Sequence, residues 1–377
     1  MGGCGIICEY NPFHKGHMYQ LEKVKQMGFE YTVCAMSGSF VQRAEPAFQP
    51  KEIRAQNAVR CGADIVLELP FPFSSLGAEG FARAGIEILA KSSLCSHFAF
   101  GSECADLEKL NEIASVLDGD FYKQVISLQK NSPNLSFAAA RQSLIGSLLS
   151  PRHAEICKNP NDILAIEYIR ANNALGCPLV PVPIKRSTPR GGFDESFASS
   201  SYIRRTLSQA DNKTLLSEYI PKDCDMSQAS ICDSTFYSAL LINLLLKEKG
   251  DFDHIAEIST DAAHSVMKNA KAAGSYNELC TLLASKTFTD AKIRRMLLFS
   301  FLGVTKQMAK EVPLYTFILA LNQKGRSALS DTAPADGFIM ASRISDIKKS
   351  TEAFRQYSFS RKAEEVLFKC RKQNPSL

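Results

Sequence analysis

Apolar positions in the first hundred residues fall into short, unbroken runs separated by longer amphipathic stretches. The runs are Gly5–Cys8, Tyr31–Met36, Asp64–Leu69 and His97–Phe100, each of strand length. Between them lie helical patterns over His17–Met27, from Pro50 to about Cys61, and over Leu76–Ala90. Pro50 suits a first helical turn, where its missing N–H is no loss. Strands joined by crossovers of this length pair in parallel, with right-handed connections and helices on both faces. A Rossmann-like α/β domain is therefore expected. Ligands bind such sheets at the carboxyl ends of the strands, so the loops after Cys8, Met36 and Phe100 should share one edge.

Further helical patterns cover roughly Asp106–Gln129 and Ser136–Leu148, and another opens after Asn159-Pro160-Asn161. A short strand is expected over Leu179–Ile184, then a polar loop over Arg186–Ser196 and a serine cluster that starts a helix. From about Pro221 the strand-type alternation stops. Phe236–Lys249, Ile293–Phe301, Pro313–Asn322 and Ala363–Lys372 read as amphipathic or buried helices. The expected organisation is an α/β catalytic domain over residues 1–215 and a mainly α-helical domain over 216–377. Two domains suit a chain of 377 residues.

Composition narrows the class. With 45% hydrophobic and 22% charged residues the chain is an ordinary globular protein, far from disordered composition. Its 12 cysteines are scattered, without the C-x-x-C spacing of a zinc or redox site. Several, such as Cys34, sit inside apolar runs and read as reduced core thiols. There is neither a charged-then-apolar leader nor an apolar run of membrane-spanning length, so a soluble cytoplasmic protein is expected. The net charge of +5 is mild but unevenly placed. From Ser342 onward Arg343, Lys348, Lys349, Arg355, Arg361, Lys362, Lys369, Arg371 and Lys372 face only Asp346, Glu352, Glu364 and Glu365. Such a tail can neutralise a polyanion's phosphates, and a solvated helix face carries the same pattern.

The candidate chemistry lies in Cys8-Glu9-Tyr10-Asn11-Pro12-Phe13-His14-Lys15-Gly16-His17. A buried strand ends, Asn-Pro turns the chain, and two histidines follow at helical spacing. With a helix starting near His14, both imidazoles point to one place above its N-terminus. Unpaired N–H groups and the helix dipole make that end suitable for an anion. Gly16 leaves room for a phosphate or nucleotide ring to approach. Donors fixed where charge develops on a leaving pyrophosphate lower the barrier to attack at an α-phosphate. His14 and His17 are the candidate catalytic residues.

H-x-G-H after a first strand resembles the signature of the nucleotidyltransferase branch of the HUP superfamily. More narrowly, Glu9–His14, Met36–Arg43, Asp64–Phe71, Phe100–Glu103 and Asn161–Leu164 resemble, in order, blocks of the bacterial tRNA(Met) cytidine acetate ligase family. The resemblance implies a HUP parallel sheet followed by the helical domain, the latter in a tRNA-binding role. It implies that acetate and ATP, with Mg²⁺, form acetyl-adenylate and pyrophosphate. The acetyl group then passes to the exocyclic amine of the wobble cytidine of elongator tRNA(Met), giving N4-acetylcytidine. Carried over by motif, the ATP contacts are Cys8, Glu9, Tyr10, Asn11, Pro12, Phe13, His14, Lys15, Gly16, His17, Met18, Tyr19, Gln20 and Leu21. Gly101, Asn161 and Arg186 join them, with Lys185 as the neighbour not separated from Arg186 in register. Ser199–Arg204 is similar to the second phosphate-binding signature of nucleotidyltransferases, which marks Ser200, Ser201 and Arg204. Ser39, Ala44 and Asp162 depart from the family's usual residues, and Asp162 is expected to point away while Asn161 makes the contact.

The polar segment Met36–Arg54 also lies where a ligand is expected, with Ser37, Gln42, Arg43, Lys51 and Arg54. Arg43 is placed to meet either phosphates or the tRNA backbone. Glu68 and Glu79 read as structural, Glu68 pairing with a nearby base, and His97 and His153 as satisfied polar residues. No arrangement suggests a bound catalytic zinc; Mg²⁺ would be held chiefly by phosphate oxygens. Two other readings stay open. One is an adenylyltransferase for a small phosphorylated cofactor precursor, the other a non-catalytic tRNA-binding module. No K-M-S-K-S-like loop supports a class I synthetase.

Overall fold

The computed structural model describes residues 2–117, 120–132, 137–186, 198–207, 218–229, 234–285 and 288–372. Its centre is a seven-stranded sheet in the order β5-β4-β1-β2-β3-β6-β7. The strands are β1 (Gly3–Cys8), β2 (Thr32–Ser37), β3 (Ile65–Leu69), β4 (Cys95–Ser102), β5 (Val180–Lys185), β6 (Tyr315–Leu321) and β7 (Ile339–Ala341). The first five are mutually parallel, as expected, and their order reverses between β1 and β4. Helices α1 (Lys15–Gln26) and α2 (Lys51–Arg60) cover one face, and α3 (Ala78–Lys91) the other.

Alternation along the strands sorts the two cores. Val33, Ala35, Ile65 and Leu67 face α3 and bury against Ile86 and Leu89. Cys34, Met36 and Val66 face the opposite way, against Leu21 and Val24 of α1 and Ala55 and Ala58 of α2. Each buried aliphatic side chain contributes roughly 1.5–3 kcal/mol. The close seat of α3 on β1 requires Gly85, where an added Cβ would fall 2.7 Å from Ile7 Cδ1.

Two expectations are corrected. The segment 313–322 is not a helix: Tyr315–Leu321 is strand β6, antiparallel to β3 with Ile65 opposite Leu321 and Val66 opposite Ala320. A continuous apolar run has no period to distinguish strand from helix. Here the unpaired edge of β3 decides, since its N–H and C=O groups need partners. Thr316 adds a hydroxyl bond to Glu68 O at 2.7 Å. The long helix expected over 106–129 is two helices, Leu107–Val116 and Phe121–Asn131, the first capped by the Asp106 carboxylate on Lys109 N–H.

The helices after residue 234 pack on the carboxyl edge of the sheet. Phe40, just beyond β2, and Phe71, just beyond β3, meet Phe236, Phe299 and Phe359 with ring centroids 5.8, 6.5 and 5.9 Å apart. Lys51 of α2 bridges Glu68 at 2.7 Å and Glu364 of the helix Thr351–Lys372 at 2.5 Å. Glu68 thus has the basic partner expected of it. Among the described residues no helix is long and apolar enough to cross a membrane.

Candidate active site

The crevice between β1 and β4, where the strand order reverses, is where a doubly wound sheet binds ligands. The chain leaving β1 builds its floor. Tyr10 adopts a positive φ of 45°, and its buried ring carries a hydroxyl 3.3 Å from Cys34 Sγ. Phe13 and Leu21 are core side chains, and Met18 packs beside them. Tyr10, Phe13 and Leu21 therefore hold the segment in place with side chains committed to the interior. Lys15, Tyr19 and Gln20 are half-buried, and Lys23 lies over the Tyr19 ring at 5.3 Å. Asn11, 2% exposed, accepts Phe48 N–H on Oδ1 at 2.6 Å, and its carbonyl accepts Arg204 Nη1–H at 2.5 Å.

A buried guanidinium fixes this segment to its neighbour. Arg54, fully buried, donates Nε–H to Gln49 O at 3.0 Å, Nη1–H to Glu9 O at 2.6 Å and Nη2–H to Gly38 O. It joins the loops after β1 and β2, and burial pushes its pKa down to about 10. The Glu9 carboxylate accepts Gln42 N–H at 2.9 Å across the same gap. Burial holds the half-buried Cys8 thiol protonated, well above the usual thiol range.

His14 and His17 converge. Their rings stack with centroids 3.6 Å apart and 19° between planes, backed by the Tyr10 and Phe13 rings. His14 is the N-cap of α1, its Nδ1 accepting Gly16 N–H at 3.1 Å. An accepting Nδ1 carries no proton, so the neutral ring keeps its hydrogen on Nε2. Burial, then Arg186 and Arg204, push the His14 pKa down to about 3; burial, His14 and Arg186 depress that of His17. Both rings are neutral at pH 7.

The backbone part of the sequence expectation is corrected. The first-turn N–H groups of α1 are not free: Lys15 N–H donates to Tyr219 O at 2.8 Å, and Gly16 N–H to His14. Those of His17 and Met18 both donate to His14 O. The first turn of α1 therefore offers no free backbone donor to an anion.

The ends of β4 and β5 bring side chains to the crevice. Arg186 N–H donates to Ser102 O at 3.0 Å, and its side chain lies across Gly101, where an added Cβ would sit 3.2 Å from Arg186 Cγ. Lys185 Nζ donates to Glu103 O at 2.5 Å. Asn161, in the first turn of the helix Pro160–Ala174, donates Nδ2–H to Glu103 Oε1 at 2.6 Å. Arg186 Nε is 3.9 Å from the same oxygen. The neighbouring Asp162 carboxylate is fully buried and accepts from Ser102 Oγ and Cys104 N–H, at 2.5 and 3.1 Å. It braces the turn after β4.

Helix Ser200–Leu207 closes the crevice. Ser199 Oγ caps it by accepting Tyr202 N–H at 3.2 Å, Ser200 and Ser201 form its first turn, and Arg204 reaches back to Asn11. The loop expected over Arg186–Ser196 lies outside the described residues beyond Arg186. His17 Nδ1, Arg186 Nε and Glu103 Oε2 are buried without a hydrogen-bond partner. Orphaned donors and acceptors grouped in one crevice fit a polar ligand with anionic groups. His97 and His153 lie elsewhere with partners of their own, Ser96 and the Ser150–Glu112 pair. Sequence reasoning assigns no role to Glu103 or Tyr219, whose parts depend on pairings 58 and more than 200 positions apart in the chain.

A parallel sheet with a stacked histidine pair at its switch point defines a nucleotidyltransferase, and the family model described as HIGH Nucleotidyl Transferase matches residues 1–376. The tRNA(Met) cytidine acetate ligase of Thermoanaerobacter pseudethanolicus is 32% identical over 383 residues, 96% of this chain and 94% of that protein. Its counterpart in Syntrophomonas wolfei is 32% identical over 368 residues, 92% and 88% of the two chains. A crystal structure of Thermotoga maritima TmcAL bound with alpha-thio ATP matches at a TM-score of 0.86 and 28% identity, covering 97% of this chain and 94% of that one. The apo form matches at 0.89. The chain belongs to the tRNA(Met) cytidine acetate ligase family, as its motif blocks led us to expect.

Proposed function

We propose that this protein is an ATP-dependent ligase that activates acetate and transfers the acetyl group to the wobble cytidine of elongator tRNA(Met). The observation that carries the reading is the pair of neutral, stacked imidazoles beside Arg186, with ring and guanidinium donors left unsatisfied. In the first step an acetate oxygen attacks the α-phosphorus of ATP, and the bond to the bridging oxygen breaks. Pyrophosphate leaves with the electron pair. His14 Nε2–H and the His17 ring donate to oxygens where that charge grows, and Arg186 and Arg204 offset it. Gly101 keeps the space beside Arg186 clear, Asn161 orients the nucleotide, and Ser200 and Ser201 line the phosphate end. In the second step the cytidine amine attacks the acetyl carbonyl, AMP departs and the amine loses a proton.

Mg²⁺ would neutralise triphosphate charge. Among the described residues no group of three His, Cys, Asp or Glu side chains is placed to hold a metal, so the ion would ride on phosphate oxygens. The helical part after residue 216 and its basic end would position the tRNA, in the cytoplasm. The test is incubation of the purified protein with ATP, acetate and elongator tRNA(Met), then nucleoside mass spectrometry. N4-acetylcytidine that requires both ATP and acetate is expected. Nucleotidyl transfer to a phosphorylated metabolite without tRNA would instead favour a cofactor adenylyltransferase.

A further inference from the structure

The turn after β2 has no part in the chemistry above, yet it is tightly built. Phe40 and Pro46 form an antiparallel bridge, Val41 N–H donates to Glu45 O at 3.0 Å, and Ala44 N–H donates to Val41 O at 2.8 Å. Ala44 takes a positive φ of 57° to close it. Three anchors fix it from outside. Glu9 accepts Gln42 N–H, Glu45 is ion-paired with Arg294 of the helix Asp290–Leu302, and Arg371 donates to Ala47 O at 2.7 Å. At its tip this rigid turn presents Arg43, which is exposed. Among the described residues the Arg43 guanidinium makes one hydrogen bond, Nη1–H to Ser201 Oγ at 3.4 Å, and no carboxylate reaches it.

Other cations surround that tip. Ser201 lies one turn before Arg204 on the same helix. Arg204 and Arg294 are both held below the usual arginine range, chiefly by burial and also by Arg43. Beyond burial, Arg186 and Arg204 are the guanidinium groups that lower the His14 pKa. Positive charge therefore runs outward from the ring pair through Arg204 to Arg43, while Arg294 beyond it is already paired with Glu45 and Asp290. Guanidinium groups repel one another unless an anion lies between them. An acceptor base delivered into the crevice brings its flanking backbone phosphates past this rim. We infer that Arg43, with Arg204 one helical turn beyond its Ser201 contact, is the subsite for a backbone phosphate of the polynucleotide acceptor, just outside the place of the ATP triphosphate. This rests on the ligase reading and adds to it where the acceptor strand is gripped.

The test compares full-length Arg43→Ala and Arg43→Lys with wild type, circular dichroism confirming each fold. Acetate-dependent ATP–pyrophosphate exchange without tRNA should stay within about twofold of wild type in both, since no phosphate contact to ATP is lost. For acetyl transfer, the KM for tRNA should rise about tenfold in Arg43→Ala and be largely restored by lysine. The log–log dependence of tRNA affinity on salt should become shallower by about 0.7–0.9, one phosphate contact. A raised KM for ATP in the tRNA-free exchange would move Arg43 to the triphosphate and overturn the inference, as would an unchanged tRNA KM and salt slope. Absent exchange in wild type counts against the ligase reading instead. The salt slope of tRNA binding, measured by filter retention, then still decides the role of Arg43.

Discussion

At the scale of residues, the candidate site holds two imidazoles kept neutral. The His14 ring, usual pKa near 6.5, is held at about 3 by burial and by Arg186 and Arg204. The folded protein therefore leaves the ring unprotonated across pH 3–6.5, while the unfolded chain binds a proton there. Stability from this group is present above pH 6.5 and is lost as pH falls towards 3. In the ATP-free protein we predict an imidazole that does not titrate between pH 5 and 7, read from histidine ring chemical shifts by NMR. A midpoint near 6.5 would contradict the environment described. Arg186→Ala should raise that pKa, because one of its causes is removed, and should raise the KM for ATP about tenfold or more. Unchanged ring shifts together with an unchanged KM would place Arg186 outside the site. His14, Gly16 and His17 were legible in the sequence because they sit within one turn, whereas Gly101 and Arg186 came only through the family resemblance. The filling of α1's first-turn N–H groups was not legible. For Lys15 N–H it depends on Tyr219, brought there by tertiary packing, while the next three turn to His14 itself.

At the scale of elements, one buried charge cluster ties the last helix to the sheet. Lys51 sits between Glu68 and Glu364, with side-chain exposures of 13%, 2% and 14%. Lys51→Ala would leave two carboxylates facing each other without a cation, so we predict a loss of about 3–5 kcal/mol in urea unfolding. A change below about 1 kcal/mol would show that the cluster is solvated. The sequence anticipated a base for Glu68 but had no means of naming Glu364, almost 300 residues away. Strand β6 was illegible for a different reason. Tyr-Thr-Phe-Ile-Leu-Ala-Leu is apolar at nearly every position, and only the vacant edge of β3 makes it a strand. The five parallel strands carried shorter runs bounded by turns and helices, so their pairing followed from crossover length alone.

At the scale of the whole molecule, the parts of the chain before and after the sequence-based boundary share one sheet. A chain ending at residue 312 lacks β6, β7, Glu364 and Arg371, and exposes the edge of β3. We predict that it aggregates or loses cooperative thermal unfolding, checked by calorimetry beside the full chain. A sharp transition at the full-length temperature would show that the α/β part stands alone. The catalytic account has its own direct test in acetate-dependent pyrophosphate release by wild type and by His17→Ala, each verified as folded. Wild type should release pyrophosphate only when acetate is present, and His17→Ala should be slower by about 10²–10³-fold, the cost of removing one fixed donor to developing charge. Equal rates in the two proteins would contradict it.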